Sequence, residues 1–175
     1  GFAVAFAEEA FALRDSGVTA PILVLEGPFD AHEVAAAARR SLWLTIHHAE
    51  QLRMLETTQL HAPLAVWLKV NSGMNRAGFD PTQVAKVWQR LRACAGVDDI
   101  TLMTHLARAD ELDDATTTEQ IARFDAATRG LPGARSIANS SGMFAWPAAR
   151  RDWGRCGIAL YGAAPDARTA AAGLQ

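Results

Sequence analysis

An α/β fold on parallel strands is predicted, because seven short apolar runs alternate with amphipathic helical patterns along the chain. Several runs are apolar on both faces, which suits strands buried from both sides rather than half-exposed antiparallel ones. Two architectures fit this rhythm, a doubly wound sheet and a (β/α)8 barrel. No glycine-rich dinucleotide fingerprint follows any run, which weighs against the nucleotide-binding doubly wound class. A complete barrel takes about 250 residues, so seven units in 175 residues read as a barrel lacking one.

The strands are expected at Phe2–Phe6, Pro21–Leu25, Ser41–His47, Leu64–Val70, Ile100–His105, Arg135–Asn139 and Arg155–Leu160. After the second, Asp30 and Glu33 have capping-box spacing ahead of an alanine-rich helix. After the fourth, "DPTQVAKVWQRLRACAG" offers Asp80 as N-cap, Pro81 at the first helical position and Gly96 as terminator. Its Val84, Val87, Trp88 and Leu91 fall at i, i+3, i+4 and i+7, one apolar face for packing on a sheet. After the fifth, "TTTEQIARFDAATRG" turns Ile121 and Phe124 inward and stops at Gly130. The chain starts on what reads as a strand already in progress. It ends in small residues, so residues 1–163 are expected to form one partial domain and 164–175 a linker in a longer protein.

Composition sets wide bounds. Half the residues are hydrophobic and 21% are charged, which allows a real core. A net charge of −2 gives no reason to expect nucleic acid or an anionic membrane as partner. No apolar run approaches the ~18 residues of a membrane helix, and no signal-peptide pattern is read in the opening residues. Cys94 and Cys156 lack metal-ligand spacing and read as free thiols, so the cytoplasm is the expected compartment.

Barrel chemistry sits at the carboxyl ends of strands. Lys69 and then Arg76, His105, Asn139 with Ser140, and Arg155 on the last run all fall there or close by. Taken one at a time, a strand-end lysine usually snorkels to the surface and a lone histidine is usually a satisfied core group. Their recurrence at one end is what points to a site. Barrels that bind phosphate use the loops after their last two strands, with a hydroxyl and backbone N–H groups. Ser140 supplies a hydroxyl, and Gly157 leaves its own N–H and that of Ile158 open to an oxyanion. The plainer alternative is that Gly157 relieves crowding at a bend. Arg155, two residues earlier, shares the face of Gly157. Its guanidinium only donates, so a pyridine nitrogen facing it would have to be unprotonated.

The segments "WLKVNSGMNRAGF", "THLARADE", "ANSSGMF" and "RCGIALYGAAP" resemble, in order and spacing, the signature segments of bacterial alanine racemase. "PILVLEG" and "AFAEEAFALRDSG" look like that family's earlier barrel units. The resemblance covers nearly the whole chain. It implies an incomplete (β/α)8 TIM barrel, strands 2 to 8, that binds pyridoxal 5'-phosphate. It also implies alanine as substrate, a homodimer whose sites borrow from both subunits, and a place in D-alanine supply for peptidoglycan or in alanine catabolism.

The same resemblance assigns roles. Lys69 matches a lysine often carbamylated in the family, and an anionic carbamate there would pair with Arg76 where two cations would repel. Arg76 matches the arginine on the cofactor's phenolic oxygen, near the substrate carboxylate. His105 matches the histidine between the pyridine-bound arginine, here Arg155, and the catalytic tyrosine. Ser140, Gly157 and Ile158 match phosphate ligands, with Asn139 beside them. An arginine opposite the ring nitrogen weakens the electron sink relative to a carboxylate, which favours reprotonation at Cα over transamination.

Nothing matches the family's Schiff-base lysine on the first barrel strand, nor the tyrosine of its C-terminal β domain; Tyr161 belongs to the "ALYG" segment. The segment alone is therefore expected to be inactive, since racemisation needs a base on each face of Cα. Asn71, Leu106 and Ser141 depart from the family's common aspartate, phenylalanine and alanine. His32, His47, His48 and His61 match no role and are read as surface or packing groups. Competing readings are a racemase for serine or lysine, a non-catalytic cofactor-binding carrier barrel, and a metal-dependent hydrolase using His105, Asp110 and Glu111. The last lacks a second histidine with ligand spacing.

Overall fold

A computed structural model describes residues 1–165 of the chain. Six parallel strands form one sheet: β1 (Phe2–Val4), β2 (Ile22–Val24), β3 (Trp43–Ile46), β4 (Leu64–Lys69), β5 (Val97–Met103) and β6 (Arg135–Ser136). Their order across the sheet is their order in sequence. A doubly wound sheet reverses direction at a switch point, and this one does not. Successive parallel neighbours winding one way make a partial α/β barrel.

The crossovers are α1 (Ala7–Asp15), α2 (Ala31–Arg39), α3 (Ala49–Thr57), α4 (Val84–Ala93) and α5 (Thr116–Ala127), and the short α6 (Ser140–Ala145) follows β6. Their starts are chemically marked. Asp30 accepts from the Glu33 N–H at 2.8 Å, the half of the expected capping box that fixes the first turn of α2. His48 caps α3 through Nδ1 at 3.2 Å and stacks edge-on with His47, a packing role for both. Asp80 accepts from Thr82 at 2.8 Å, but Pro81–Gln83 wind as a 3-10 turn before α4 begins. Ile121 and Phe124 of α5 are buried as the sequence indicated.

Strand alternation sorts side chains into two layers. Ile22, Val24, Leu44, Ile46, Leu64, Val66 and Leu68 belong to the main core under the helices. Leu23, Trp67 and Met103 form a second cluster with Leu25 and Trp43 against it, on the opposite, inner side of the strands. Trp43 stacks on Trp67 at 5.9 Å and meets Trp153 edge-on at 5.3 Å. These three indoles lie together on the inner side of the strands, with Trp67 buried two residues below Lys69 on β4 and Trp153 partly exposed. They place the strand-end polar groups over an apolar floor.

One expected strand does not form. Residues 153–156 run alongside β6 and donate two backbone bonds, Trp153 N–H to the Arg135 carbonyl at 3.1 Å and Arg155 N–H to the Ala138 carbonyl at 2.9 Å. At Gly157 the chain turns (φ −103°, ψ −85°), and Ile158–Tyr161 wind as a 3-10 helix. Ile158, Leu160 and Tyr161 are exposed, and no further strand among the described residues draws them into a ladder. The expected linker lies largely outside the described residues, and of it only residues 164–165 are seen.

Candidate active site

Lys69 closes β4 with its side chain almost buried, 8% exposed. No hydrogen bond reaches its amine among the described residues. Burial and then the nearby Arg76 charge lower its pKa, while Glu26 opposes and Arg155 adds to the fall. The loop from Lys69 to Arg76 is organised by Asn71. Its Oδ1 accepts from Gly73 and Asn75 N–H at 3.2 and 3.0 Å, and its Nδ2 donates to Asn75 Oδ1 at 3.1 Å. That last bond uses the amide that stands where the family commonly has aspartate; opposite a carboxylate the Asn75 amide would have to turn and donate instead. Asn75 is held in the left-handed region at φ 59°, and Arg76 follows it, exposed.

His105 follows the end of β5, half-buried. Arg155 reaches across to it from beyond β6. Its guanidinium donates to the Thr104 carbonyl at 2.5 Å, the Ile137 carbonyl at 3.3 Å and the Ser136 hydroxyl, and lies 3.5 Å from His105 Nδ1. An arginine only donates, so its place beside Nδ1 favours the tautomer that carries the imidazole proton on Nε2. Desolvation, then the charges of Arg155, Arg76 and Lys69, push the His105 pKa down to about 4. The ring is neutral at pH 7. Burial of the Arg155 guanidinium brings its pKa to about 10, so it stays charged there.

Beside this pair lies a group of converging donors. Ser140 opens α6, and its Oγ accepts from Gly157 N–H at 3.0 Å and Ala159 N–H at 3.4 Å. Ile158, between them, begins the 3-10 turn with an N–H that has no intrahelical partner. A Cβ on Gly157 would meet nothing within 4 Å, so this backbone faces open space. With the Gly157 and Ala159 N–H groups turned onto Ser140 Oγ, the Ser140 hydroxyl proton and the Ile158 N–H are the donors left facing that space, and a pair of this kind suits an oxyanion. Asn139 stands behind: its Oδ1 caps α6 at Gly142 N–H, 2.9 Å away, and its Nδ2 reaches the Leu106 carbonyl at 3.4 Å. It therefore shapes the Ser140 turn from within the fold.

The structure thus brings Lys69, Arg76, His105 and Arg155 to one end of the barrel, with Ser140 and Gly157 alongside. Asp110 and Glu111 do not join them. Glu111 is held by Arg108 at 2.8 Å, and among the described residues no three of His, Cys, Asp and Glu cluster to hold a metal. Sequence reasoning missed Ser136 and Thr104, which fix Arg155, and the Ala159 N–H. Ser136 and Thr104 each sit next to a strand end, the one signal that could have found them.

The model of the family described as "Alanine racemase, N-terminal domain" matches residues 1–165. The chain belongs to that family. It is 57% identical to the alanine racemase of Azoarcus sp. (strain BH72) over 94% of its own length and 47% of that protein's. It superposes on the biosynthetic alanine racemase of Pseudomonas aeruginosa with a TM-score of 0.94 at 43% identity, covering all of this chain and 49% of that one. It is 25% identical to an alanine racemase from Bartonella henselae, solved with covalently bound pyridoxal phosphate. There the TM-score is 0.79, over 94% of this chain and 48% of the other. The chain spans about half the length of the curated alanine racemases it matches.

Proposed function

We propose that the chain carries the cofactor-holding barrel of a pyridoxal 5'-phosphate-dependent alanine racemase, acting on alanine as a homodimer. The observation that carries this reading is the Arg155–His105 contact, a buried cation held by Thr104, Ile137 and Ser136 against a neutral imidazole at the carboxyl end of a parallel barrel. The donor set fits the group. Ser140 Oγ and the N–H groups of Gly157 and Ile158 would hold its phosphate, the phosphate taking the Gly157 N–H in place of Ser140 Oγ, with Arg155 on its ring nitrogen, Arg76 on its phenolic oxygen and Asn139 holding the Ser140 turn. When bound, the cofactor supplies a conjugated ring that delocalises the electron pair left at Cα after proton loss.

The chain's own residues then set the outcome. Arg155 has no proton acceptor to offer, so a ring nitrogen held against it would stay unprotonated and the sink would be moderate, which would favour return of a proton to Cα over longer-lived chemistry. His105 presents Nε2–H away from Arg155, able to orient a hydroxyl that moves a proton. The depressed pKa of Lys69 raises the fraction of neutral amine, the form that captures carbon dioxide. The resulting carbamate would offset Arg76. We infer that the two bases at Cα come from elsewhere in the full-length protein, and that residues 1–175 by themselves do not racemise.

Chiral chromatography of L-alanine incubated with the cofactor-loaded full-length protein tests the reading, with D-alanine expected. Conversion of serine or lysine but not alanine would reassign the substrate. A bound cofactor with none of the three converted would point to a carrier barrel.

A further inference from the structure

Helix α5 buries a polar residue on its inward face. Gln120 is fully buried, and all the bonds it makes go to the two segments that carry Arg76 and His105. Its Oε1 accepts from Ala107 N–H at 2.9 Å, and its Nε2 donates to the His105 carbonyl at 3.1 Å and to Ser72 Oγ at 3.3 Å. Ser72 and Thr104 hydroxyls lie 2.7 Å apart, and Thr104 donates to the Val70 carbonyl at 2.9 Å. Because that carbonyl can only accept, every proton in the chain has one direction, from Gln120 through Ser72 and Thr104 to Val70. One turn further along α5, Arg123 donates to the Ser72 carbonyl. The loop passes so close that a Cβ on Gly73 would lie 2.7 Å from Arg123 Nη1 and 3.2 Å from Gln120 Cγ.

We propose that Gln120 is a positioning residue for the site: through Ser72 and the His105 carbonyl it sets the Arg76 loop and His105 in fixed register. This rests on the racemase reading. A network with every member satisfied and directionally ordered holds two loops to one geometry, whereas apolar packing alone would let them slide. Ser72 and Thr104 also join the two segments directly, and Gln120 holds both segments from the helix behind them. A misplacement near 1 Å between groups that must act together costs on the order of a hundredfold in rate.

The test uses the cofactor-loaded full-length protein. Gln120→Met keeps the length and removes every bond, while Gln120→Glu keeps the acceptor to Ala107 and removes both donors. Ser72→Ala breaks the relay from the other side, in case Gln120→Met does not fold. Thr117→Val serves as control. It lies one turn earlier on α5, fully buried, and its hydroxyl finds no partner. Expected is a fall in kcat of about tenfold to a hundredfold for Gln120→Met and Ser72→Ala. KM should change less, Gln120→Glu should fall between, and Thr117→Val should match the parent. His105 is also titrated by NMR in the cofactor-free protein. Its midpoint should rise from about 4 towards 6.5 in Gln120→Met and Ser72→Ala as the segment loosens from the Arg155, Arg76 and Lys69 charges. Lowered melting temperatures with kcat and the His105 midpoint unchanged would overturn the proposal. If the parent does not racemise, the racemase reading fails while the His105 titration still decides what Gln120 does.

Discussion

Acid should destabilise this fold through His105, by an amount the structure sets. In the folded protein its pKa lies at about 4 against an ordinary 6.5. Between those values the unfolded chain binds a proton that the folded chain refuses, so unfolding becomes easier as pH falls through this window and levels off below it. At 1.36 kcal/mol per decade the loss is about 3 kcal/mol, an upper figure for a half-buried ring. Other acid-titrating groups, among them His47 with a pKa lowered by burial, also respond to falling pH, so a difference is needed. Urea unfolding of the cofactor-free full-length protein and of His105→Gln from pH 7.5 to 4 supplies it. The parent should lose stability more steeply than the variant, their gap opening by about 2–3 kcal/mol. Arg155→Met in the same series should narrow the gap, because it removes the largest charge acting on the ring. Parallel curves for parent and His105→Gln would refute the buried, cation-surrounded placement of His105.

Ser140→Ala should weaken pyridoxal 5'-phosphate by about tenfold or more, the loss of one charge-assisted bond. Pyridoxal without phosphate should be barely affected, and equal losses in fluorescence titrations of both would exclude Ser140 as a phosphate ligand. Lys69 should give a carbamate carbon resonance in 13C NMR after incubation with labelled bicarbonate at pH 8, which Lys69→Arg lacks. No such signal in the parent would leave the crowding of Lys69 and Arg76 without its proposed relief.

Much of this fold was legible because its signals are local. Runs such as Leu64–Val70 are apolar on both faces, and Asp30 and Asp80 mark helix starts with side chains that reach only two or three residues. Lys69 and His105 stand out as polar residues at strand ends, and Arg155 through its spacing to Gly157. The seventh strand failed because Arg155–Leu160 has strand composition, whereas a strand also needs neighbours. Beyond Gly157 the described residues offer none, and the chain curls into a 3-10 turn. Gln120 was hidden for a different reason. Its neighbours Ile121 and Phe124 set the apolar period of α5, and a glutamine beside them reads as solvated until the loops at Ser72 and His105 are seen packed over it. The indoles of Trp43, Trp67 and Trp153 likewise meet only in space, from two strands and a loop.

The most direct test of the racemase reading is proton exchange at Cα. The full-length protein, loaded with pyridoxal 5'-phosphate, would be incubated with L-alanine in deuterated water, and the Cα proton followed by NMR alongside D-alanine formation. Loss of the Cα proton with deuterated D-alanine accumulating is the expected result. Cofactor bound to the protein with the Cα proton retained would contradict it.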